Sequence, residues 1–241
     1  MRLTLSHTPL VVGLALITLL ATSCGASEPL TDKQAAQVVF TKTNAGPTFV
    51  TGDDTALTTR LGCLETMTNF SGKADTKPAT SAVSQFGIDS LSGLPAVRTE
   101  VRSYADAGKA KAVLKAIKAA ATKCTEVKID GETSHFKMTV QHDEKKSLKG
   151  ADAQLNTVGL GEVSGANGMK LPTGLWLTQA VKDNNLLAIT YLNYSVTDEG
   201  VAHAYNSAAW QRLIDVVSGD KPSTGAVKLP KQPAGQETQD K

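Results

Sequence analysis

Aromatic residues are scarce in this sequence, and neither sign of charge dominates it. Aromatic residues make up 5% of the 241 residues, and the formal net charge at pH 7 is only +2. With so few aromatic side chains, a core must be built mainly from Val, Leu, Ile and Ala. A nearly neutral chain also has no basic footprint of the kind that nucleic-acid-binding proteins use. We therefore expect one globular domain with no nucleic-acid partner.

Sequence motifs that would indicate catalysis are also absent. There is no Gly-x-Ser-x-Gly elbow, and the Gly-rich stretch 159–168 has no lysine placed as in a phosphate-binding loop. His135 and His142 are seven residues apart on one predicted strand, so they should point to opposite faces and cannot form a simple two-histidine metal site. The pair Asp53-Asp54 lacks the series of further ligands that a calcium loop needs. The sequence therefore predicts no enzyme, no cofactor and no metal, and an unrecognised hydrolase stays as an alternative.

The longest apolar run lies near the amino terminus, from Leu10 to Leu20, after a short basic start at Arg2. As a helix this run would span roughly 16 Å at about 1.5 Å per residue. A bilayer core needs about 30 Å, so the run is typical of a secretory signal and too short for a permanent membrane span.

The segment after this run, Ala21-Thr22-Ser23-Cys24-Gly25, resembles a bacterial lipoprotein signal. In that family the peptidase cuts before a cysteine that carries a diacylglyceryl group, and the thiolate is the nucleophile that takes the lipid. The family favours Leu where this chain has Ala21, so ordinary secretory cleavage after Ser23 is the alternative. The resemblance implies a signal peptide over 1–23, a lipidated tether over 24–29, and attachment to the membrane through a diacylglyceryl-cysteine at Cys24.

The sequence has three cysteines. If Cys24 is lipidated, Cys63 and Cys124 remain as a pair, and in an oxidising compartment such a pair predicts a disulfide. Two free buried thiols and a metal site are the alternatives, but two cysteines without nearby partners make a poor metal site. For a loop of this length the chain-entropy model predicts a stabilisation of about 4 kcal/mol.

Three helices, two of them long, can be assigned from local signals. Thr31 and Gln34 have the spacing of a capping box before a helix that runs to about Phe40. Asp106 can cap a second helix, which carries an apolar stripe at helical spacing that ends at Cys124. Val201 to Val217 forms the third helix, which Gly219 ends.

The predicted strands are grouped as hairpins. Val97 to Tyr104 alternates between apolar and charged residues, which indicates a strand with one solvent-facing side. The segments 175–182 and 186–194 flank Asp183-Asn184 as a hairpin, and the second is apolar on both faces, so it should be central in the sheet. The Gly-rich stretch 159–168 is interpreted as a flexible hairpin connection.

Strand hairpins around separated helices favour an α+β domain over 30–219. We expect a mainly antiparallel sheet packed with two long helices and stabilised by one disulfide. The segment 220–241 is rich in Pro, Gly, Gln and Lys, which predicts disorder.

Aromatic side chains on predicted strands are the candidates for ligand contact. They are Tyr104, Trp176, Tyr191 and Tyr194. Aromatic residues on a sheet can line a ligand cleft, although they also serve as core or edge packing.

Three segments together resemble the extracellular sensor domain of actinobacterial PknH-type Ser/Thr kinases, which also occurs on lipoproteins. These segments are Leu30-Thr31-Asp32-Lys33-Gln34-Ala35, Tyr104-Ala105-Asp106-Ala107-Gly108-Lys109-Ala110 and Asp183-Asn184-Asn185-Leu186-Leu187-Ala188-Ile189. The resemblance covers about residues 28–218 and implies an antiparallel sheet with flanking helices and a cleft for an unidentified ligand. The family often has a second disulfide and usually a Trp shortly before the helix cysteine, where this chain has Ala120, Ala121 and Thr122. Only the cysteines can be carried over as functional positions.

The sequence therefore predicts a membrane-anchored, extracytoplasmic lipoprotein of the cell envelope with a non-catalytic, sensor-like domain. Its expected partners are the membrane and an unknown small molecule, lipid or envelope component. An envelope lipid carrier is the alternative of a different class. A continuous apolar cavity would favour the carrier, whereas a filled core with a polar cleft would favour the binding domain.

Overall fold

The computed structural model describes residues 27–52, 62–68, 77–88, 94–130, 134–165 and 168–230. The predicted signal peptide, Cys24 and the pair Asp53-Asp54 lie outside the described residues.

Local capping signals explain where the helices begin and end. The Thr31 side chain accepts a hydrogen bond from the Gln34 backbone N–H, and the Gln34 side chain accepts one from the Thr31 backbone N–H, so the predicted capping box is present. Asp106 caps the next long helix by accepting from the Lys109 N–H, and Gly219 ends the last helix in the left-handed conformation. The helices are α1 (Asp32–Val38), α2 (Lys42–Ala45), α3 (Cys63–Thr68), α4 (Ala107–Ala121) and α5 (Glu199–Ser218).

Strands of the described residues form one eight-stranded sheet in which every neighbouring pair is antiparallel. The strands are β1 (Phe49–Thr51), β2 (Thr80–Ile88), β3 (Ala96–Ser103), β4 (Glu126–Asp130), β5 (Ser134–Asp143), β6 (Ala153–Gly165), β7 (Lys170–Lys182) and β8 (Asn185–Asn193). Their order is β1-β2-β3-β8-β7-β6-β5-β4. The predicted α+β class with a mainly antiparallel sheet is confirmed, and β8 is central because it lies between β3 and β7.

The two long helices pack on opposite faces of this sheet. On one side, which we call the α5 face, α5 and α1 cover Val97, Val101 and Ile189. On the other side, the α4 face, α4 and α3 cover Leu175, Leu177 and other side chains that alternate with the first set. The sheet therefore separates two apolar cores.

The predicted solvent-facing side of β3 is wrong. Arg98, Glu100 and Arg102 have side chains only 11%, 11% and 14% exposed. Glu100 accepts from the Arg98 guanidinium at 2.7 Å and from Arg102 Nε at 2.5 Å. Mutual pairing lets these three charges lie largely buried on the α4 face, where an unpaired charge would be costly.

The Gly-rich stretch is largely strand, which corrects its interpretation as a flexible connection. β6 continues to Gly165, and β7 begins at Lys170. A Cβ at Gly159 would collide with the Met138 side chain, and a Cβ at Gly161 would collide with the Lys137 carbonyl. These glycines therefore let β5 approach β6 closely, which is a different role from flexibility.

Residues 220–230, the described part of the segment whose composition predicts disorder, lie against α5; we call these residues the strap. The Asn44 amide donates to the carbonyls of Ser223 and Gly225, and the Val227 N–H donates to the Asn44 carbonyl at 3.1 Å. The strap ends beside the start of α5, where a Cβ on Gly200 would lie 3.4 Å from the Pro230 ring.

Candidate functional site

The predicted disulfide between Cys63 and Cys124 is present. The two residues are 61 apart in sequence, with their Cα atoms 5.5 Å apart. The disulfide links the start of α3 to the residues just after α4, and Cys124 is fully buried in the core of the α4 face. Its position indicates a structural role within that core.

Tyr104 does not share a site with the other candidate aromatic residues. It is fully buried in the core of the α4 face. Trp176 and Tyr191 belong to the core of the α5 face, on the other side of the sheet.

Trp176 and Tyr191 belong to a column of aromatic rings between the sheet and α5. The Trp176 and Tyr191 rings lie 5.8 Å apart, and Tyr191 stacks on Tyr205 of α5 at 5.6 Å. Phe40 and Phe49 extend the column with rings 5.9 and 6.5 Å from Tyr205. Contacts of this kind stabilise beyond the area that they bury, so the column fixes α5 on the sheet.

Buried hydroxyl groups hold the same column in place. The Tyr191 hydroxyl donates to Asp198 at 3.1 Å, and the Tyr205 hydroxyl donates to the Ala45 carbonyl at 2.8 Å. Burial raises the pKa of Tyr191 above its ordinary value, and the Asp198 carboxylate raises it further. Burial also raises the pKa of Tyr205 to about 12. Both side chains are therefore neutral packing groups at physiological pH.

Tyr194 lies just beyond the end of β8 and is half-buried. Its backbone N–H donates to the Asn193 side chain at 2.8 Å. It is not among the residues that line the cleft described next.

A polar cleft of about 520 Å³ opens between α5 and the sheet where α5 leaves β5 and β6 uncovered. Two cross-strand rows form its floor, Asp143–Asn156–Thr178 and Val158–Trp176. Its wall is one side of α5, with Glu199, His203 and Asn206 at spacings of four and three residues. Of the four predicted aromatic residues, Trp176 lines this cleft and Tyr191 supports Trp176 from behind.

Side-chain hydrogen bonds join the wall of the cleft to its floor. The Asn206 side chain donates to the Thr178 hydroxyl at 2.9 Å, and this hydroxyl donates to the side-chain carbonyl of Asn156 at 3.2 Å. The Asn156 amide donates in turn to Asp143 at 2.8 Å and to the Lys145 carbonyl at 2.9 Å. The rotamers of the floor are thereby set without a ligand, which lowers the entropy cost of binding one.

The connection between β5 and β6 closes one end of the cleft. The Gln154 side-chain carbonyl accepts from the N–H groups of Ser147 and Leu148, both at 3.1 Å. From α5, the Trp210 indole donates to the Lys149 carbonyl at 2.9 Å. Gln154 is 1% exposed and Trp210 is 5% exposed, so this end wall is fixed by buried groups.

The charges around the cleft are few and mixed. Asp143 and Glu199 are acidic and Lys145 is basic, while His203 is exposed on the wall. Asp143 is already engaged, because its Oδ1 accepts from the Lys145 N–H and from Asn156, both at 2.8 Å. Glu199 lies in the first turn of α5, where the helix dipole stabilises a negative charge. The cleft therefore presents mainly neutral hydrogen-bonding groups.

The opposite face of the sheet has a much smaller cavity. The space between α4 and the sheet at Glu100, Ile117 and Gln179 measures about 10 Å³. That volume holds about one water molecule.

The two histidines on β5 point to opposite faces, as the sequence predicts. His142 lies on the α4 face between the Thr157 hydroxyl and the Cys124 carbonyl, at 2.9 and 2.8 Å. His135 pairs in register with Ser164 on the α5 face. Within the described ranges, no group of three or more His, Cys, Asp or Glu side chains is placed to hold a metal ion.

Sequence reasoning missed the polar residues of the cleft. Asn156, Thr178 and Asn206 come from two strands and a helix that are remote in sequence, and no local motif joins them. The signal in the sequence is weak. Asn156 and Thr178 are polar residues at strand positions where the alternation pattern otherwise predicts side chains that face the core. Their pairing depends on the β6–β7 register.

Comparisons with known proteins show a likeness in fold. Neither the models of known protein families nor the curated proteins contain a match to this sequence. Among solved structures, the chain is similar to the extracellular domain of PknH from Mycobacterium tuberculosis, with 11% identity and a TM-score of 0.50. The likeness covers 80% of this chain and 100% of that domain. The fold that the sequence resemblance implies is therefore confirmed.

In the described part of the chain, no helix combines the length and the apolar character that crossing a membrane requires.

Proposed function

We propose that this protein is a membrane-anchored lipoprotein of the cell envelope whose extracytoplasmic α+β domain binds a ligand in the cleft without catalysis. The observation that carries the binding function is the cleft of about 520 Å³ with its preset polar floor. Ligand sites are concave, largely formed before binding, and equipped with a few well-placed polar groups.

Three observations support an extracytoplasmic location. The amino-terminal segment has the character of an export signal. The Cys63–Cys124 disulfide is typical of proteins that fold in an oxidising compartment. The fold is shared with a domain whose description is extracellular.

Attachment through Cys24 is supported by elimination among the cysteines. Cys63 and Cys124 bond to each other, so Cys24 has no cysteine left to pair with in its own chain. A thiol outside any intramolecular disulfide suits lipidation, and two acyl chains hold a protein firmly on a bilayer.

A lipid carrier would need a long apolar cavity, and the packing favours the binding domain instead. Both faces of the sheet carry continuous apolar cores, and the cavity beneath α4 has room for about one water. Most of the described residues that line the cleft on the α5 face carry amide, hydroxyl or charged groups, which suit a ligand with polar groups.

Fractionation tests the anchor. The wild-type protein should sediment with membranes, and a Cys24→Ser variant should move to the medium with its fold intact, because Cys24 lies outside the disulfide. Cys24→Ser protein that stays in the membrane fraction would contradict the lipid anchor and leave the binding function standing.

Native mass spectrometry of protein purified from its own cell envelope tests the binding function. We expect a non-covalent adduct on the wild type that disappears in His203→Phe, because the phenyl ring is slightly bulkier than the imidazole and lacks both of its hydrogen-bonding nitrogens at an exposed wall position. Ser207→Phe is the matched control, since Ser207 is exposed on the same helix outside the lining of the cleft. A wild type without an adduct, or an adduct that His203→Phe retains, would contradict ligand binding in this cleft.

A further inference from the structure

We propose that the ligand of this cleft is a neutral polyhydroxylated molecule, a saccharide or a saccharide-like headgroup. This inference rests on the proposed binding function and names the chemical class of its ligand.

The side chains that face the cleft can pair with hydroxyl groups. A hydroxyl both donates and accepts, so it is best met by side chains that offer both functions in fixed positions. Asn206 uses one amide hydrogen on Thr178, which leaves its carbonyl oxygen and its second N–H for a ligand. Among the described residues, Glu199 and His203 have no side-chain hydrogen bond of their own, and they lie on the same wall.

The charges of the cleft disfavour an anionic ligand. Among the described residues that line it, Lys145 is the one basic side chain apart from His203, and none is an arginine. Recognition of phosphate or carboxylate groups uses paired cations or a guanidinium fork, and two carboxylates at this cleft would repel such a group.

A strongly cationic ligand is disfavoured as well. The Asp143 carboxylate accepts two hydrogen bonds from its own chain, and Lys145 stands at the same end of the cleft. The negative charge of Glu199 is stabilised by the helix dipole at the start of α5. No acidic pair is left to bind a cation of high charge.

The cleft exposes at least as much apolar surface as polar surface. The apolar surface comes from Val158, Trp176 and Ala202 and from the carbon atoms of the polar side chains that line the cleft. A sugar ring presents the same mixture, because its C–H groups alternate with hydroxyl groups. At about 520 Å³ the cleft is also within the range of small-molecule sites.

A chain of side-chain hydrogen bonds, which we call the hydrogen-bond relay, joins Asn206, Thr178 and Asn156 and fixes the polar groups that a hydroxylated ligand would meet. Asn206, Thr178 and Asn156 are held by one another before the ligand arrives. A site built to satisfy hydroxyls rejects analogues that lack them, because its own polar groups would then stay unpaired.

The experiment begins with protein purified from its own envelope and released by denaturation. Hydrolysis and monosaccharide analysis of the released material should find sugar with wild type and Ser207→Phe, and none with His203→Phe. A released ligand without sugar would overturn this inference and leave the proposed binding function standing. No released ligand, together with no binding in the titration below, would overturn both.

Calorimetric titration gives the second measurement. The probes are the neutral glycan fraction released from the same envelope, spermidine and inorganic pyrophosphate. We expect saturable binding of the neutral fraction alone. Asn206→Leu should weaken it at least ten-fold, while Ser207→Leu should leave it unchanged. Binding of spermidine or pyrophosphate in place of the neutral fraction, or equal binding by Asn206→Leu, would refute the assignment.

Discussion

The buried Arg212 of α5 provides a demanding test of how this fold is held together. The residue is 5% exposed, and among the described residues its guanidinium donates to backbone carbonyls alone. Three of these carbonyls, from Gln37, Val38 and Val39, belong to the end of α1, and the fourth is that of Ser223 in the strap. The last carbonyls of a helix have no partner within it, so Arg212 caps α1 from another element and holds the strap at the same time.

We predict that Arg212→Met lowers the free energy of unfolding by about 3 kcal/mol. Val38 and Val39 are buried, and each would leave a carbonyl without a partner at a cost of about 1–3 kcal/mol. Gln37 and Ser223 are exposed, so water can replace the guanidinium there at little cost. Burial lowers the pKa of Arg212, which shows that its charge is poorly solvated, and relief of that penalty offsets part of the loss.

Urea and thermal unfolding measure this effect. In a domain of this size about 3 kcal/mol corresponds to a fall in Tm of about 6–12 °C. Gln211→Met is the matched control, because Gln211 is exposed on the same helix and bonds only to Asp215; its change should stay within about 0.5 kcal/mol. Arg212→Lys should recover less than half of the loss, since one ammonium cannot reach all four carbonyls.

Two results would refute this reasoning. One is an Arg212→Met variant whose free energy of unfolding lies within about 1 kcal/mol of that of the wild type, which would mean that the carbonyls find other partners. The other is full recovery by Arg212→Lys, which would show that charge matters and the forked geometry does not. Amide hydrogen exchange adds a local readout, because protection in the strap should fall more than protection in α4.

Three further predictions concern stability. Replacing Cys63 and Cys124 by Ser should cost about 4 kcal/mol in urea unfolding, and a loss below about 1 kcal/mol would contradict the entropic account of this 61-residue loop. Burial raises the pKa of Tyr205 to about 12, so above pH 10 the unfolded chain ionises first and stability falls by about 1.4 kcal/mol per pH unit. Tyr205→Phe should lessen that alkaline slope, and an identical slope in the variant would count against it. Gly161→Ala should destabilise by about 1–3 kcal/mol by clashing with β5, while Gly225→Ala, with nothing closer than 3.9 Å, should be nearly neutral; equal effects would argue against close packing.

Features whose cause is local could be predicted from the sequence. The capping box of Thr31 and Gln34, the Asp106 cap and the Gly219 terminus each depend on residues within one turn. The central position of β8 followed from its apolar character on both faces. The disulfide followed from cysteine number and compartment.

Features that depend on distant partners could not be predicted. The charges of Arg98, Glu100 and Arg102 indicated an exposed face, because nothing local shows that three side chains will neutralise one another under a helix. The strap has the composition of a disordered tail, yet its carbonyls are bound by Asn44 and by a guanidinium from α5. The strand β4 was not recognised either, since it is a short edge strand with charged residues.

The candidate site also combines a feature that the sequence could predict with features that depend on distant partners. Trp176 could be singled out because an aromatic residue on a strand is conspicuous. The hydrogen-bond relay through Asn156 and Thr178 could not, because it exists only once β6 and β7 pair in register.

A crystal structure of the protein purified from its own envelope would show whether the cleft holds a ligand. The account predicts electron density for a ligand in the cleft, in contact with Asn206 and Trp176. Density for an adduct between α4 and the sheet, or an empty cleft in protein that carries an adduct in native mass spectrometry, would contradict it.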